Sequence, residues 1–205
     1  MISGPNSFCP AFNSSLDDVP QREIFFLETS GENCLTPRQA CSVESAARKN
    51  PQMKVTLYTD TGDSFSSSAN RSTAGHRADT LGNQRNCDVM DILKSFPNVA
   101  VIRSRLADEL QGTFLRGRWF DIGRLQQSQF PHVHLSDAVR VAILQKRGGI
   151  YLDLDCIVLR PLHCLRNTAA YLPLLPSWIE NGVLSFDRSH PFLNFLMRVM
   201  VQYYK

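Results

Sequence analysis

Apolar and polar positions change rhythm along this chain, and each rhythm predicts an element. "EIFFLET" (23–29) is an unbroken apolar run soon followed by a glycine, which predicts a buried strand. In "TPRQACSVESAARKN" Thr36 suits an N-cap and Pro37 the first helical position, while Ala40, Val43 and Ala47 draw an apolar stripe. "MKVTLYT" (53–59) predicts a second strand. Strand, helix and strand within roughly 35 residues is the pattern of a parallel βαβ unit. "CDVMDILKSF" predicts another helix and "NVAVIR" (98–103) a third strand. Between the second strand and that helix, a Ser-, Asn-, Gly- and Arg-rich stretch (61–86) reads as a surface loop. Residues 1–22 read as a tail without periodicity, and 23–205 as one α/β domain.

"SDAVRVAILQKRGG" (136–149) predicts a helix capped by Ser136, with Asp137 at its positive end and Gly148 closing it. Val139, Ala142, Ile143 and Lys146 lie on one side, and Asp137 and Arg140 are neighbours at i, i+3. A strand follows at once in "GGIYLDLDCIVLRPL" (148–162), then a short strand in "WIENGVLSFDRSH" and an amphipathic helix in "PFLNFLMRVMVQYYK".

The strand after the double glycine breaks the apolar rule, because it holds Asp153 and Asp155. Alternation along a strand aims both carboxylates to one side and leaves Leu152, Leu154, Cys156 and Val158 for the core. Like charges at close range raise each other's pKa unless a cation sits between them. Oxygen ligands so few in number suit Mn2+ or Mg2+, with phosphate and water completing the shell. Three other readings compete. Two aspartates at a sheet edge can simply face solvent. An EF-hand loop fails, since its obligatory glycine would be Val158. A hydrolytic acid/base pair needs carboxyls about 5 Å or more apart across a sugar, and predicts metal independence.

Composition narrows the classes. The 205 residues are 43% hydrophobic and 20% charged, enough for a sizeable core in one domain. The net charge of +3 is spread along the chain, which argues against nucleic acid as a partner. No apolar run reaches the roughly 18 residues that span a bilayer, and the N-terminus lacks a signal-peptide pattern, so the chain reads as soluble or as the lumenal piece of something longer. Six cysteines without CxxC spacing and two sequons, at Asn13 and Asn70, lean towards an oxidising compartment. Cys41 is a disulfide candidate, and Cys156 a buried free thiol. His132 and His134 form an HxH pair read as structural, and Phe114, Trp119 and Phe120 as core or acceptor-side packing.

"LSDAVRVAILQKRGGIYLDLDCIVLRPL" resembles the DxD segment of sugar-nucleotide-dependent α-1,4-glycosyltransferases. "IFFLETSG", "ACSVESAARKNP", "SFPNVAVI" and "NGVLSFDRSHPFL" are similar to further blocks of that family, in the same order. The resemblance implies a glycosyltransferase A-type fold, a Rossmann-like α/β/α sandwich. It implies Asp153 and Asp155 holding Mn2+ (or Mg2+) against the donor diphosphate, with Asp155 the direct ligand and Asp153 reaching the ribose or a metal-bound water. Asp137 and Arg140 would face the donor sugar; a surface ion pair is the alternative. Leu27, Glu28 and Thr29 would lie near the base, Tyr151 with the motif, and Asn181 and Gly182 beside the reacting sugar.

The implied activity is retaining transfer of galactose or an N-acetylhexosamine from a UDP-sugar to a glycolipid or glycoprotein glycan in the Golgi lumen. Family members carry an N-terminal membrane anchor, and after the point matching Lys205 a Gly-His-Gln-Gly-Pro-like block and a late His/Trp segment. The chain is therefore expected to lack the C-terminal part of the fold. An inactive nucleotide-sugar- or glycan-binding fragment remains the alternative.

Overall fold

A computed structural model describes residues 22–32, 34–62, 64, 87–172 and 175–203. The expected tail, both sequons and most of the loop at 61–86 lie outside these residues.

β1 (Ile24–Glu28) and β2 (Val55–Asp60) are buried along their whole length, as strands covered on both faces must be. Between them α1 (Pro37–Lys49) begins on a capping box: Gln39 N donates to Thr36 Oγ1, and Thr36 N donates to Gln39 Oε1. α2 (Asp88–Lys94) leads into β3 (Val99–Ser104). A 3-10 turn (Leu106–Leu110), a wide helical turn (Arg116–Phe120) and the short α3 (Arg124–Gln127) bridge to α4 (Pro131–Arg147). Then follow β4 (Gly149–Leu152), β5 (Thr168–Leu172), β6 (Leu175–Phe186) and α5 (Pro191–Tyr203).

These strands make one six-stranded sheet in the order β3-β2-β1-β4-β6-β5. The first four run parallel; β6 is antiparallel to β4 and to β5. Period-two alternation sorts the side chains into two cores. Phe25, Leu27, Tyr58 and Tyr151 pack with α4 and α5, where Trp119 and Phe120 also lie. Ile24, Phe26, Val55, Leu57, Ile150 and Leu152 pack with α1 and α2.

Several expectations are corrected. α4 starts at Pro131, its first-turn proline, five residues before Ser136, so Ser136 is not a cap and Asp137 lies inside the helix, away from the positive end. β4 stops at Leu152, so Asp153 and Asp155 do not alternate along a strand; they sit on the turn that leaves it. β5 and the 3-10 turn carry no clear rhythm in the sequence and were not anticipated. Cys41 is a free, exposed thiol, and a bridge joins Cys34 to Cys87. Cys156 is free as expected but only half-buried. No helix among the described residues is long and apolar enough to cross a membrane.

The double glycine has a steric reason. Gly148 ends α4 at φ 70° and Gly149 starts β4 at φ 116°, a region side chains avoid. A Cβ on Gly148 would stand 2.7 Å from Arg188 N, and one on Gly149 would stand 2.6 Å from Glu23 O. With no side chain at either position, α4 hands the chain directly to the start of β4, whose far end leads into the carboxylates.

Candidate active site

Arg140 stands at the centre. It is 5% exposed and reaches from α4 across the end of β4. Its Nε donates to Ser136 O at 3.2 Å, and Nη2 donates to Ser136 Oγ at 2.9 Å. Nη2 lies 3.2 Å from Asp137 Oδ1, and Nη1 lies 3.2 Å from Asp153 Oδ1. Nη1 also donates to Asn181 O at 2.9 Å, and the guanidinium lies over the Tyr151 ring, 4.4 Å from its centroid. The planar fork of arginine can serve this many acceptors; an ammonium could not. The helical spacing that paired Asp137 with Arg140 is thus real, but the pair is buried and not a surface one.

β4 and β6 supply the rest. Tyr151 is 1% exposed; burial pushes its phenol pKa well up, and Asp153 adds to this although Arg140 opposes it. The phenol therefore stays protonated and donates to Asp153 Oδ1. Asp153 N donates to Gly182 O at 2.8 Å, continuing the β4–β6 contact past the strand end. A Cβ on Gly182 would stand 2.8 Å from Asp153 Oδ2, so this glycine makes room for the carboxylate. Asn181 Nδ2 donates to Asp137 Oδ1 at 2.9 Å, closing the ring of contacts. Asp155 is exposed one step further along the turn, beside the half-buried Cys156, whose thiol pKa is raised by burial and by the two aspartates.

The structure thus brings Asp137, Arg140, Tyr151, Asp153, Asn181 and Gly182 together, with Asp155 at the rim. Residues 27–29 end β1, the strand next to β4. Leu27 points into the core and Glu28 is buried, while Thr29 exchanges hydrogen bonds with His132: Thr29 Oγ1 donates to His132 O and His132 Nδ1 donates to Thr29 O at 2.7 Å. His134 instead contacts Ser128 Oγ at 2.7 Å, which fits the structural reading of the HxH pair.

Sequence reasoning missed two features. Ser136 serves as an acceptor for Arg140. A cavity of about 240 Å3 opens beside the cluster, floored by Asp137, Arg140 and Asn181 and walled by apolar side chains of β6 and α5, among them Leu184, Phe192, Leu196 and Met200. The signal for the wall was present: Phe192, Leu196 and Met200 repeat every fourth residue.

One guanidinium for two carboxylates leaves the cluster net negative, and Asp155 adds to that. Among the described residues no three His, Cys, Asp or Glu side chains group to hold a metal by themselves. The donor set fits a hard divalent ion that takes one or two carboxylates and the rest of its shell from phosphate and water. Asp155 is open for that duty. Asp153 keeps Oδ2 available while its Oδ1 is engaged by Arg140 and Tyr151.

Lactosylceramide 4-alpha-galactosyltransferase of Mus musculus is 36% identical over 182 residues, 88% of this chain and 45% of that protein. Alpha-1,4-N-acetylglucosaminyltransferase of Homo sapiens is 30% identical over 184 residues, 90% of this chain and 49% of that protein. The chain therefore spans about half the length of the curated relatives it matches. The PaToxG glycosyltransferase structure superposes with a TM-score of 0.58 over 89% of this chain and 60% of that one, at 17% identity. The shared fold is the glycosyltransferase A-type α/β fold. A family model described as a glycosyltransferase sugar-binding region containing a DXD motif matches residues 36–173, and the chain belongs to that family.

Proposed function

We propose that this chain carries the donor site of a metal-dependent retaining glycosyltransferase. It would move galactose or an N-acetylhexosamine from a UDP-sugar to a glycolipid or glycoprotein glycan in α-1,4 linkage. The observation that carries this reading is the buried Arg140 cluster joining Asp137, Asp153 and Asn181 at the C-terminal edge of a parallel sheet, where α/β folds take up ligands.

Each side chain then has a task. Asp155, with Asp153 beside it, would hold Mn2+ or Mg2+; a bound divalent ion supplies Lewis-acid stabilisation of charge growing on the departing diphosphate. Asp137 and Asn181, fixed by each other and by Arg140, offer acceptor and donor atoms to sugar hydroxyls. Arg140 adds a fixed positive charge near the anomeric centre, with no reorganisation needed during reaction. Tyr151 keeps Asp153 in place by donating to it.

Retention follows from an α-linked donor giving an α-linked product. Both Asp137 and Asp153 have an oxygen engaged by Arg140, which disfavours either as a covalent nucleophile. Front-face displacement accords with these contacts. The acceptor oxygen attacks the anomeric carbon, the bond to the diphosphate oxygen breaks, and the acceptor proton passes to that phosphate.

Action in the Golgi lumen, with membrane association through an N-terminal anchor in a longer form, agrees with the Cys34–Cys87 bridge, since disulfides persist in oxidising compartments.

Titration calorimetry with UDP, in Mn2+ and then in EDTA, tests the proposal on the wild-type chain and on Asp155→Ala. Binding that needs the metal and is lost in Asp155→Ala is the expected result. A folded wild-type chain that ignores UDP, or binds it equally in EDTA, overturns it.

A further inference from the structure

Phe114, just before the wide helical turn, is half-buried against the α4 and α5 core. Two guanidiniums stand over its ring. Arg118, from the turn, lies 4.7 Å from the centroid, and Arg198, from α5, lies 5.0 Å from it. Both arginines are exposed, and among the described residues neither has a carboxylate or hydrogen-bond partner. An aromatic face holds a cation without neutralising it, so the ring gathers two positive charges that repel each other.

Other surface cations of this fold lie against acids: Arg48 on Glu44, Lys94 on Asp91 and Arg105 on Asp108. The sequence explains the contrast. Residues 111–130 hold Arg116, Arg118 and Arg124 against one acid, Asp121, which Arg116 takes at 2.7 Å. α5 contains no Asp or Glu. Arg124 Nη1 donates to Val201 O at 2.6 Å and ties this segment to the last turn of α5, so the acid-poor stretches form one surface. Phe195, three residues before Arg198 and on the same side of the helix, is 61% exposed. The cavity beside the Arg140 cluster is walled by other positions of α5, so this surface lies outside it.

We infer that the face carrying Phe114, Arg118, Phe195 and Arg198 rests on an anionic membrane surface. The two arginines meet the charged headgroups and Phe195 enters the headgroup layer, where charge and apolar surface come together. An acidic polypeptide would use the charges and leave Phe195 idle. This contact is separate from the donor site and from any N-terminal anchor, and its test needs no UDP.

Vesicle co-sedimentation of the whole chain at low ionic strength provides that test, on phosphatidylcholine vesicles with and without phosphatidylserine. Wild type is expected to bind only the anionic vesicles and to leave them in high salt. Each arginine near such a surface strengthens partitioning about fivefold, so Arg118→Gln/Arg198→Gln is expected to bind roughly thirtyfold more weakly. Arg118→Lys/Arg198→Lys keeps the charge and is expected to retain most of the binding. Arg48→Gln/Lys94→Gln removes two ion-paired cations from α1 and α2 and is expected to bind as wild type does. Thermal melts confirm that each variant is folded.

A wild type that ignores both kinds of vesicle, or binds both alike, overturns the inference. So do equal losses in the two glutamine pairs, which reflect net charge alone. Binding to polyglutamate without binding to anionic vesicles assigns the face to an acidic protein and also overturns it. Should the Arg118→Gln/Arg198→Gln variant fail to fold, Phe195→Ser at its exposed site decides: several-fold weaker vesicle binding supports the contact, and unchanged binding sinks it.

Discussion

Arg140 ties the stability of the fold to the proposed donor site. Its guanidinium is shared by Ser136, Asp137, Asp153 and Asn181, and it is nearly inaccessible. Removing one member of a buried ion pair leaves the other uncompensated, at a cost of about 3–5 kcal/mol. Arg140→Ala is therefore expected to lower chemical-denaturation stability by about that amount, and a variant as stable as wild type would show that water already compensates the aspartates. Gly182 offers a gentler probe. The Cβ of Gly182→Ala would meet Asp153 Oδ2 at 2.8 Å and push the carboxylate aside. Metal-dependent UDP affinity is expected to fall roughly tenfold in that variant, for about 1.4 kcal/mol of lost binding. Its melting temperature should change much less than that of Arg140→Ala, because no buried charge is stranded.

At the scale of elements, α4 does two jobs along its length. Its middle presents Asp137 and Arg140, and its C-terminal turn is clamped to the 3-10 turn by Glu109. Lys146 Nζ donates to Glu109 Oε2 at 2.9 Å and Arg147 Nη2 donates to Glu109 Oε1 at 2.6 Å, while Arg147 Nη1 donates to Tyr58 OH at 2.7 Å. Burial pushes the Glu109 carboxyl up, but these two cations more than offset it and leave its pKa below the ordinary 4.5. A carboxylate depressed on folding contributes stability above its unfolded pKa and loses it as pH falls through the folded value. Glu109→Gln is expected to cost about 1–2 kcal/mol at pH 7, with the difference from wild type shrinking below roughly pH 4.5. Equal differences at pH 7 and pH 3, from urea melts, would contradict this. The same helix shows what sequence can and cannot tell. Its apolar spacing and the Asp137–Arg140 pair were legible because they are local. Its true start was not, since Ser136 resembles a cap, and only the packing of the first turn at Pro131, with His132 bonded to Thr29 across 103 residues, extends the helix backwards. For β4, alternation placed Tyr151 correctly, but nothing local marked where β6 stops pairing, so the strand was read too far.

Over the whole molecule, the sheet keeps two sets of buried polar side chains on opposite faces of one edge. The Arg140 cluster lies on the α4 and α5 face, and Glu28 lies on the α1 and α2 face. The Cys34–Cys87 bridge belongs to the second face, joining the approach to α1 with the start of α2 across 53 residues of sequence. Pairing of that kind is set by the assembled layer, which is why the sequence could offer Cys41 as a candidate and yet name no partner. A cross-link spanning such a loop stabilises chiefly by limiting the unfolded chain, by about 2–4 kcal/mol. Replacing Cys34 and Cys87 by alanine is therefore expected to lower unfolding free energy by about that much. The Arg140 cluster draws its support from α4, β4 and β6, on the other face of the sheet from the bridge, so metal-dependent UDP binding should survive in buffer where the variant remains folded. Binding lost at full folding would mean that the two faces of the edge are energetically one site. A coupled measurement of denaturant midpoint and UDP affinity on the same variant separates these outcomes.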